Sequence, residues 1–198
     1  MYPVYMIKFR TERLLPREWQ DSDYPTFARI NADTDVMRYF PAPLSEAESN
    51  ANADVISTLI RGRGWGFWAV EIPEIASFIG FVGLHIPTTK LPFSPCVEIG
   101  WRLDKRFWGN GYATEAASFA LKYGFTELDL NEIVSFTSKQ NKPSQAVMKK
   151  LGMILDDEPF EHPSVPVPNP LREHVLYRIS QKDWRAGFDC KCSLFGGS

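Results

Sequence analysis

The sequence predicts an α+β (mixed α/β) fold, and three observations predict it. Segments with helical periodicity alternate with apolar, β-branched segments along the chain. A strand-like run at 96–103 leads through the glycine loop Gly109-Asn110-Gly111 into a helix-like run. The 198 residues are 44% hydrophobic, which is enough for one packed core. We therefore expect a single domain over 1–185 and a tail over 186–198.

The first half of the chain predicts a strand, three helical segments and two strands. Aspartates before Tyr24 and the Ser45–Glu48 pair, a capping box, mark two helix starts. Glycines and Pro73 separate the elements that follow. The predicted elements are a strand at 11–19, helical segments from 24, over 33–40 and over 45–61, and strands at 67–72 and 77–86.

The second half predicts strands that alternate with helices. Pro143 falls near the first turn of a helix, where proline is tolerated. The segment 161–173 is too rich in proline for regular structure. The predicted elements are strands at 96–103, 131–138, 154–160 and 174–180, helices at 113–128 and 142–152, and a short helical end from 183.

The glycine loop before Ala113 is a candidate anion site. Glycines let the backbone turn tightly and approach a ligand, and the first N–H groups of a helix have no acceptor inside it. A phosphate is the usual occupant of such a place. The loop lacks the third glycine of the dinucleotide fingerprint and the Lys-Ser/Thr of the P-loop. A plain turn is the alternative.

Four blocks carry a family resemblance. They are Thr11–Arg17 (TERLLPR), Val97–Trp101 (VEIGW), Arg106 with Gly109–Ala116 (GNGYATEA), and Asn141–Ser144 (NKPS) with Lys150–Met153 (KLGM). Together they resemble the Gcn5-related N-acetyltransferases, in the branch that contains ribosomal-protein N-terminal acetyltransferases. Pro16 and Met153 replace the usual apolar residue and Phe.

The resemblance implies an acyl-CoA N-acyltransferase fold, in which a bent mixed sheet of about seven strands has helices on both faces and a splay between strands four and five. It implies acetyl-CoA as co-substrate, no metal, and pantetheine in the splay. The implied cofactor contacts are Trp101, Arg102, Leu103, Arg106, Phe107, Trp108, Gly109, Asn110, Gly111, Tyr112, Ala113 and Asn141. Arg106 could instead be a solvated loop charge, and Asn141 a plain helix cap.

Glu98 is the predicted catalytic base and Ser144 the predicted second catalytic residue. A carboxylate, directly or through water, can accept the proton of an attacking amine. An outward-facing or salt-bridged Glu98 is an equal alternative. Met148 occupies the position where many relatives carry an acid Tyr, so the acid is Ser144, a water or nothing. The histidines at 85, 162 and 174 are weaker candidate bases, and no spacing predicts a Ser-His-Asp triad.

The resemblance assigns the lip of an acceptor site to five residues that could equally belong to the core: Met37, Tyr39, Phe40, Trp65 and Trp68. The Pro-rich segment should overhang the same cleft. The expected function is acetyl transfer from the thioester to a primary amine, of a protein N-terminus or a small molecule. A non-catalytic acyl-CoA-binding module and a transferase of longer acyl groups are the alternatives.

Composition narrows the partners. A net charge of −2 gives no general case for nucleic acid. No apolar run reaches the ~20 residues that span a bilayer, and the N-terminus does not resemble a signal peptide. Three cysteines, including Cys190 and Cys192, make neither a disulfide framework nor a zinc site. We therefore expect a cytoplasmic monomer or homodimer without a metal or a membrane partner.

Overall fold

The structure, a computed structural model, describes residues 10–187. Its strands are β1 (Leu15–Arg17), β2 (Phe67–Glu71), β3 (Gly80–His85), β4 (Glu98–Leu103), β5 (Glu132–Ser138), β6 (Ile154–Leu155), β7 (Phe160–Glu161) and β8 (Glu173–Ser180). Its helices are α1 (Tyr24–Ala32), α2 (Glu46–Arg63), α3 (Tyr112–Thr126) and α4 (Lys142–Lys150), followed by a helical stretch at 181–187. Short 3-10 turns occupy Asp21–Asp23, Val36–Tyr39 and Lys105–Phe107.

All eight strands form one mixed sheet in the order β1-β2-β3-β4-β5-β8-β6, with β7 also paired to β8. The mixed α/β prediction is confirmed, with one strand more than the seven expected. The single predicted strand at 154–160 is two short strands, because residues 157–159 leave the sheet before Phe160 returns to β8. The first strand is also shorter than predicted, because Thr11 closes a turn onto Leu14.

Helices cover both faces of the sheet, as the resemblance implied. On one face Trp68 of β2 packs edge-on against Phe119 and Tyr123 of α3. Neighbouring residues of a strand point to opposite faces. Accordingly Phe81, which lies opposite Ala69 in the register, contacts Phe27 of α1 on the other face.

Local signals explain several helix ends. The Ser45–Glu48 capping box forms as predicted and begins α2. That helix runs to Arg63 and ends at Gly64, whose φ of 82° suits the left-handed terminal position. At the other end of the described chain, residues 181–187 are helical, so the helix crosses the predicted domain boundary at 185.

The sheet opens between β4 and β5. These parallel strands share a single register pair, Glu98 with Val134, and a backbone bond of 3.0 Å from Val134 N–H to Val97 O. One residue further on, the hydroxyl of Ser135 donates to Ile99 O at 2.9 Å in place of a backbone donor. Beyond that point the strands diverge, so the predicted splay between strands four and five is confirmed.

Candidate active site

A cavity of about 650 Å³ fills the gap between β4 and β5 and continues over both ends of β4. Its wall includes all of β4, the glycine loop and the first turn of α3, parts of β5 and α4, and residues from the segments 35–41 and 162–165. Among residues 10–187, no group of His, Cys, Asp and Glu side chains is arranged to hold a metal ion. Within the same range, no helix is both long enough and apolar enough to cross a bilayer.

The glycine loop presents a row of unused backbone donors. Gly109 and Gly111 have φ of 78° and 82°, which turns the chain sharply before α3. The N–H groups of Gly109 to Thr114 donate to no acceptor within residues 10–187. Because they stand at the positive end of the α3 dipole, they form a cradle for an anion.

Two of the implied cofactor contacts, on the upstream side of the loop, use their N–H groups within the loop itself. The N–H groups of Phe107 and Trp108 donate to Asp104 O and Lys105 O at 3.0 and 3.2 Å. Arg106 forms an ion pair of 2.6 Å with Asp104, and its guanidinium lies outside the cavity wall. For Arg106 the structure therefore favours the alternative of a loop charge, and the cradle lies further along, over Gly109 to Thr114.

Arg13 supports the glycine loop from the N-terminal segment. Its guanidinium donates to Asn110 O at 3.0 Å, pairs with Glu115 at 2.7 Å and lies 4.8 Å from the centre of the Tyr112 ring. The sequence placed Arg13 and Glu115 in two separate motif blocks and did not predict that they form an ion pair. Their long separation in the chain hid the contact, although the joint presence of both blocks was a usable signal.

The backbone N–H and C=O groups of β4 point alternately toward β3 and toward β5. Asp104 N–H donates to Ile79 O on the β3 side at 2.9 Å, whereas Ile99 O and Val97 O are used from the β5 side. Polar backbone groups of successive residues point to opposite edges of a strand. The backbone groups of Trp101 and Leu103 therefore face the gap, where the resemblance places the pantetheine. The backbone of Arg102 faces β3, which corrects the prediction for that residue.

Glu98 lies at the start of β4 on the cavity wall. Its carboxylate forms no ion pair or hydrogen bond with residues 10–187, and burial raises its pKa to about 8. The salt-bridge alternative is thus absent from the described chain. His85, the cross-strand neighbour of Glu98, stacks on Phe67 at 5.2 Å and lies outside the cavity wall.

Asn141 and Ser144 act together at the start of α4. The Asn141 carbonyl accepts from Ser144 N–H at 3.2 Å, and its amide donates to the hydroxyls of Thr137 and Ser144 at 2.9 and 3.0 Å. Asn141 therefore caps the helix, the alternative to the predicted cofactor contact. Because the Ser144 hydroxyl accepts from Asn141, its own hydrogen remains for a group in the cavity. Met148, which occupies the position where many relatives carry an acid Tyr, is buried in the cavity wall.

His162 and His174 lie across the cavity from β4, with ring centres 4.8 Å apart. Burial lowers the pKa of His162 to about 4 and also lowers the pKa of His174. Ser164 N–H donates to Nδ1 of His162 at 3.2 Å. Both rings are neutral at pH near 7, so the pair adds no charge to the wall.

The predicted acceptor lip is only partly present in the wall. Tyr39 and Phe40 line the cavity, whereas Met37 is buried outside its wall and the Trp65 ring lies against the Arg63 guanidinium. Trp68 is a core residue, because its position in β2 directs it toward α3. Of the predicted thiols, Cys190 and Cys192 lie outside the described residues. Cys96 is free, and burial raises its pKa.

Comparison with known proteins identifies the family. Residues 13–154 match the model of the acetyltransferase (GNAT) domain. An uncharacterized N-acetyltransferase, YnaD of Bacillus subtilis, is 32% identical over 88% of this chain and 97% of its own length. An FsC-acetyl coenzyme A-N(2)-transacetylase of Aspergillus fumigatus is 31% identical over 79% of this chain and 68% of its own.

A solved GNAT acetyltransferase from Bacillus anthracis superposes with a TM-score of 0.71 at 27% identity, covering 87% of this chain and 98% of its own. The domain match spans the gap, the glycine loop and α4, whereas the cavity residues at 162–165 and 174 lie beyond it. The chain therefore belongs to the GNAT acetyltransferase family and is an N-acetyltransferase that uses acetyl-CoA.

Proposed function

We propose that this enzyme transfers acetyl directly from acetyl-CoA to a primary amine that enters on the Glu98 face of β4. The observation that carries the proposal is the interrupted sheet, with a cradle of unused N–H groups beyond one end of β4 and, at the other end, a carboxyl that has no partner among residues 10–187. The acceptor is the amine of a protein N-terminus or of a small molecule.

The co-substrate is proposed to lie along the gap. Its pyrophosphate occupies the cradle of Gly109 to Thr114, and its pantetheine follows the gap-facing backbone of Trp101 and Leu103. Phe107 and Trp108 line the same part of the cavity through their side chains. Asn141 contributes through the position it gives to Ser144.

Catalysis is proposed to rest on positioning, on removal of a proton from the amine and on return of a proton to the leaving thiolate. The amine attacks the thioester carbonyl carbon, the carbon–sulfur bond breaks, and the amine proton passes to the Glu98 carboxylate directly or through water. The thiolate leaves with the electron pair of the broken bond. A proton from the Ser144 hydroxyl or from water then converts it to the thiol, after which Ser144 regains a proton from solvent and Glu98 releases one to solvent.

Release of free thiol tests the proposal. Purified protein, acetyl-CoA and a panel of primary amines should liberate coenzyme A in proportion to acetylated amine, counted by mass spectrometry. Calorimetric binding of acetyl-CoA without thiol release from any amine would instead support the non-catalytic binding module. Faster thiol release from a longer acyl-CoA than from acetyl-CoA would support a transferase of longer acyl groups.

The segment 162–165 is proposed to shape the acceptor pocket. Ser164 and Val165 line the cavity, and Arg172 holds this turn by donating to Val165 O. Gln140 donates to Pro170 O at 3.0 Å and fixes the far end of the Pro-rich segment. A held loop loses little entropy when an acceptor binds.

Replacing residues 163–170 with a Gly/Ser stretch of equal length should therefore raise the acceptor KM by about ten-fold or less and leave the Kd of acetyl-CoA unchanged. Steady-state kinetics with a reactive amine and calorimetry with acetyl-CoA measure the two quantities. Unaltered acceptor kinetics would assign selectivity to Tyr39 and Phe40 instead.

We further propose that the enzyme acts in the cytoplasm, as a monomer or homodimer and without nucleic acid. The net charge of −2 supports the last of these, because nucleic-acid-binding domains are clearly basic.

A further inference from the structure

Arg102 is a cation that forms no ion pair with any group of the described chain. Its Nη1 donates to the side-chain oxygen of Asn31 at 2.6 Å, and its Nε is buried without any hydrogen-bond partner. No carboxylate among residues 10–187 pairs with it. Burying an unpaired charge is costly, so a structural role alone does not explain this arginine.

The guanidinium is held in place by uncharged groups. It lies 4.2 Å from the ring centre of Phe40 and 5.7 Å from that of Phe81. Asn31 is itself fixed by a bond of 2.8 Å to the hydroxyl of Ser49, which joins α1 to α2. Burial lowers the pKa of Arg102 to about 10, so it stays charged at neutral pH.

Arg102 and Glu98 share one face of β4 and one cavity. They are separated by two full alternations of the strand, which places their Cα atoms about 13 Å apart. Both residues line the cavity wall. An acceptor whose amine is near Glu98 can therefore extend along β4 until it reaches the guanidinium.

Besides Arg102, four charged side chains line the wall: Asp35, Arg38, Glu98 and Lys150. Asp35 is already paired with Arg38 at 2.9 Å and with Lys105 at 3.0 Å. Glu98 is mostly protonated at neutral pH because burial raises its pKa to about 8. A polycationic acceptor would meet no free carboxylate near Arg102.

From the unpaired guanidinium in the acceptor half of the cavity, we infer that the acceptor is an amine that also carries a carboxylate or a similar anion, which Arg102 binds. This inference rests on the proposed function and names its substrate class. Arginine suits the task because its planar fork can donate two parallel hydrogen bonds to a carboxylate.

Matched acceptors test the inference. We would compare ω-amino acids of increasing chain length with alkylamines of the same length, using thiol release to obtain kcat/KM. The wild type should prefer the carboxylated member of at least one pair by about ten-fold or more, as expected for hydrogen bonds to a charged group. Equal rates within every pair would overturn the inference.

Two variants assign the preference to its residue. Arg102→Gln should reduce the preference to about one-fold, because it slows the carboxylated acceptor more than the alkylamine of the same length. Arg63→Gln is the matched control, since Arg63 also has a buried, unpartnered Nη2 but lies outside the cavity wall. It should keep the full preference. A persistent preference in Arg102→Gln, or a loss confined to acetyl-CoA affinity, would contradict the inference.

Binding can be read without turnover. Protein loaded with coenzyme A should bind the preferred ω-amino acid in a calorimeter, and Arg102→Gln should abolish that heat. Failure of the proposed transfer would appear as the absence of thiol release with every amine. Failure of the present inference would appear as equal binding of the acid by the wild type and Arg102→Gln.

Discussion

Replacing Glu98 by Gln is expected to lower kcat by about 100-fold where the wild type is fully active, because an amide cannot accept the proton of the amine. Burial raises the pKa of Glu98 to about 8, so the wild-type rate should rise toward that pH and level off above it. With its ordinary pKa of 4.5, the Glu98 carboxyl would be ionised throughout the neutral range and would give no such inflection. The kcat–pH profile of the variant should lack this inflection, with an unchanged Kd for acetyl-CoA.

Thermal unfolding gives an independent check on the same variant. The pKa of Glu98 in the folded state, about 8, lies above its ordinary value of 4.5, so the protonated carboxyl favours the folded state. Its contribution to stability is complete below the lower value and is lost as the pH rises through the higher one. Gln cannot ionise, so the Tm of the variant relative to that of the wild type should rise between pH 4.5 and 8 and then stay level at higher pH. In the kinetic experiment, identical pH–rate profiles of Glu98→Gln and the wild type would show that Glu98 is not the base and would leave water in that role.

Replacing Gly111 by Val is expected to weaken acetyl-CoA binding by about ten-fold or more. Gly111 has φ of 82°, which a β-branched residue adopts only with strain, and its added Cβ would lie 3.4 Å from Nη2 of Arg13. Relief of that strain must turn the loop and misdirect the N–H groups that follow. Calorimetry with acetyl-CoA measures the effect.

Gly64 provides the control for Gly111. It has the same φ of 82°, a Cβ there would meet no atom within 4 Å, and it lies outside the cavity wall at the end of α2. Gly64→Val should therefore cost comparable stability and leave the Kd of acetyl-CoA unchanged. If a folded Gly111→Val variant bound acetyl-CoA as tightly as the wild type, the proposed binding of the pyrophosphate at this loop would be wrong.

Local signals predicted most of the fold. The Ser45–Glu48 box, Gly64 and Pro143 act through groups within a few residues, so the sequence displays them directly. The split of the predicted strand at 154–160 depends instead on how β8 receives two short partners, which is a tertiary property. The same limit applies to β1, where a turn at Thr11 competes with pairing to β2.

The site was predictable as a set of backbone positions and less so as a set of side-chain directions. The glycine loop followed from the order of strand, glycines and helix. Strand alternation could not say which face of β4 the acceptor uses, so the sequence left open whether Glu98 is a base or an outward-facing residue. For the same reason Arg102 was predicted as a cofactor contact and not as an acceptor contact. Its unpaired guanidinium emerges only when α1 and α2 surround it.

The single register pair between β4 and β5 leaves the sheet as two backbone networks, β1–β4 and β5–β8. A co-substrate that bonds to the free edge of β4 would act as the missing strand between them. A metabolite would then supply part of the cooperativity of the fold. At a concentration about a hundred times its Kd, a ligand adds about 2.7 kcal/mol to the stability of the state that binds it. The cellular supply of acetyl-CoA would thus govern how long the protein survives as well as how fast it works.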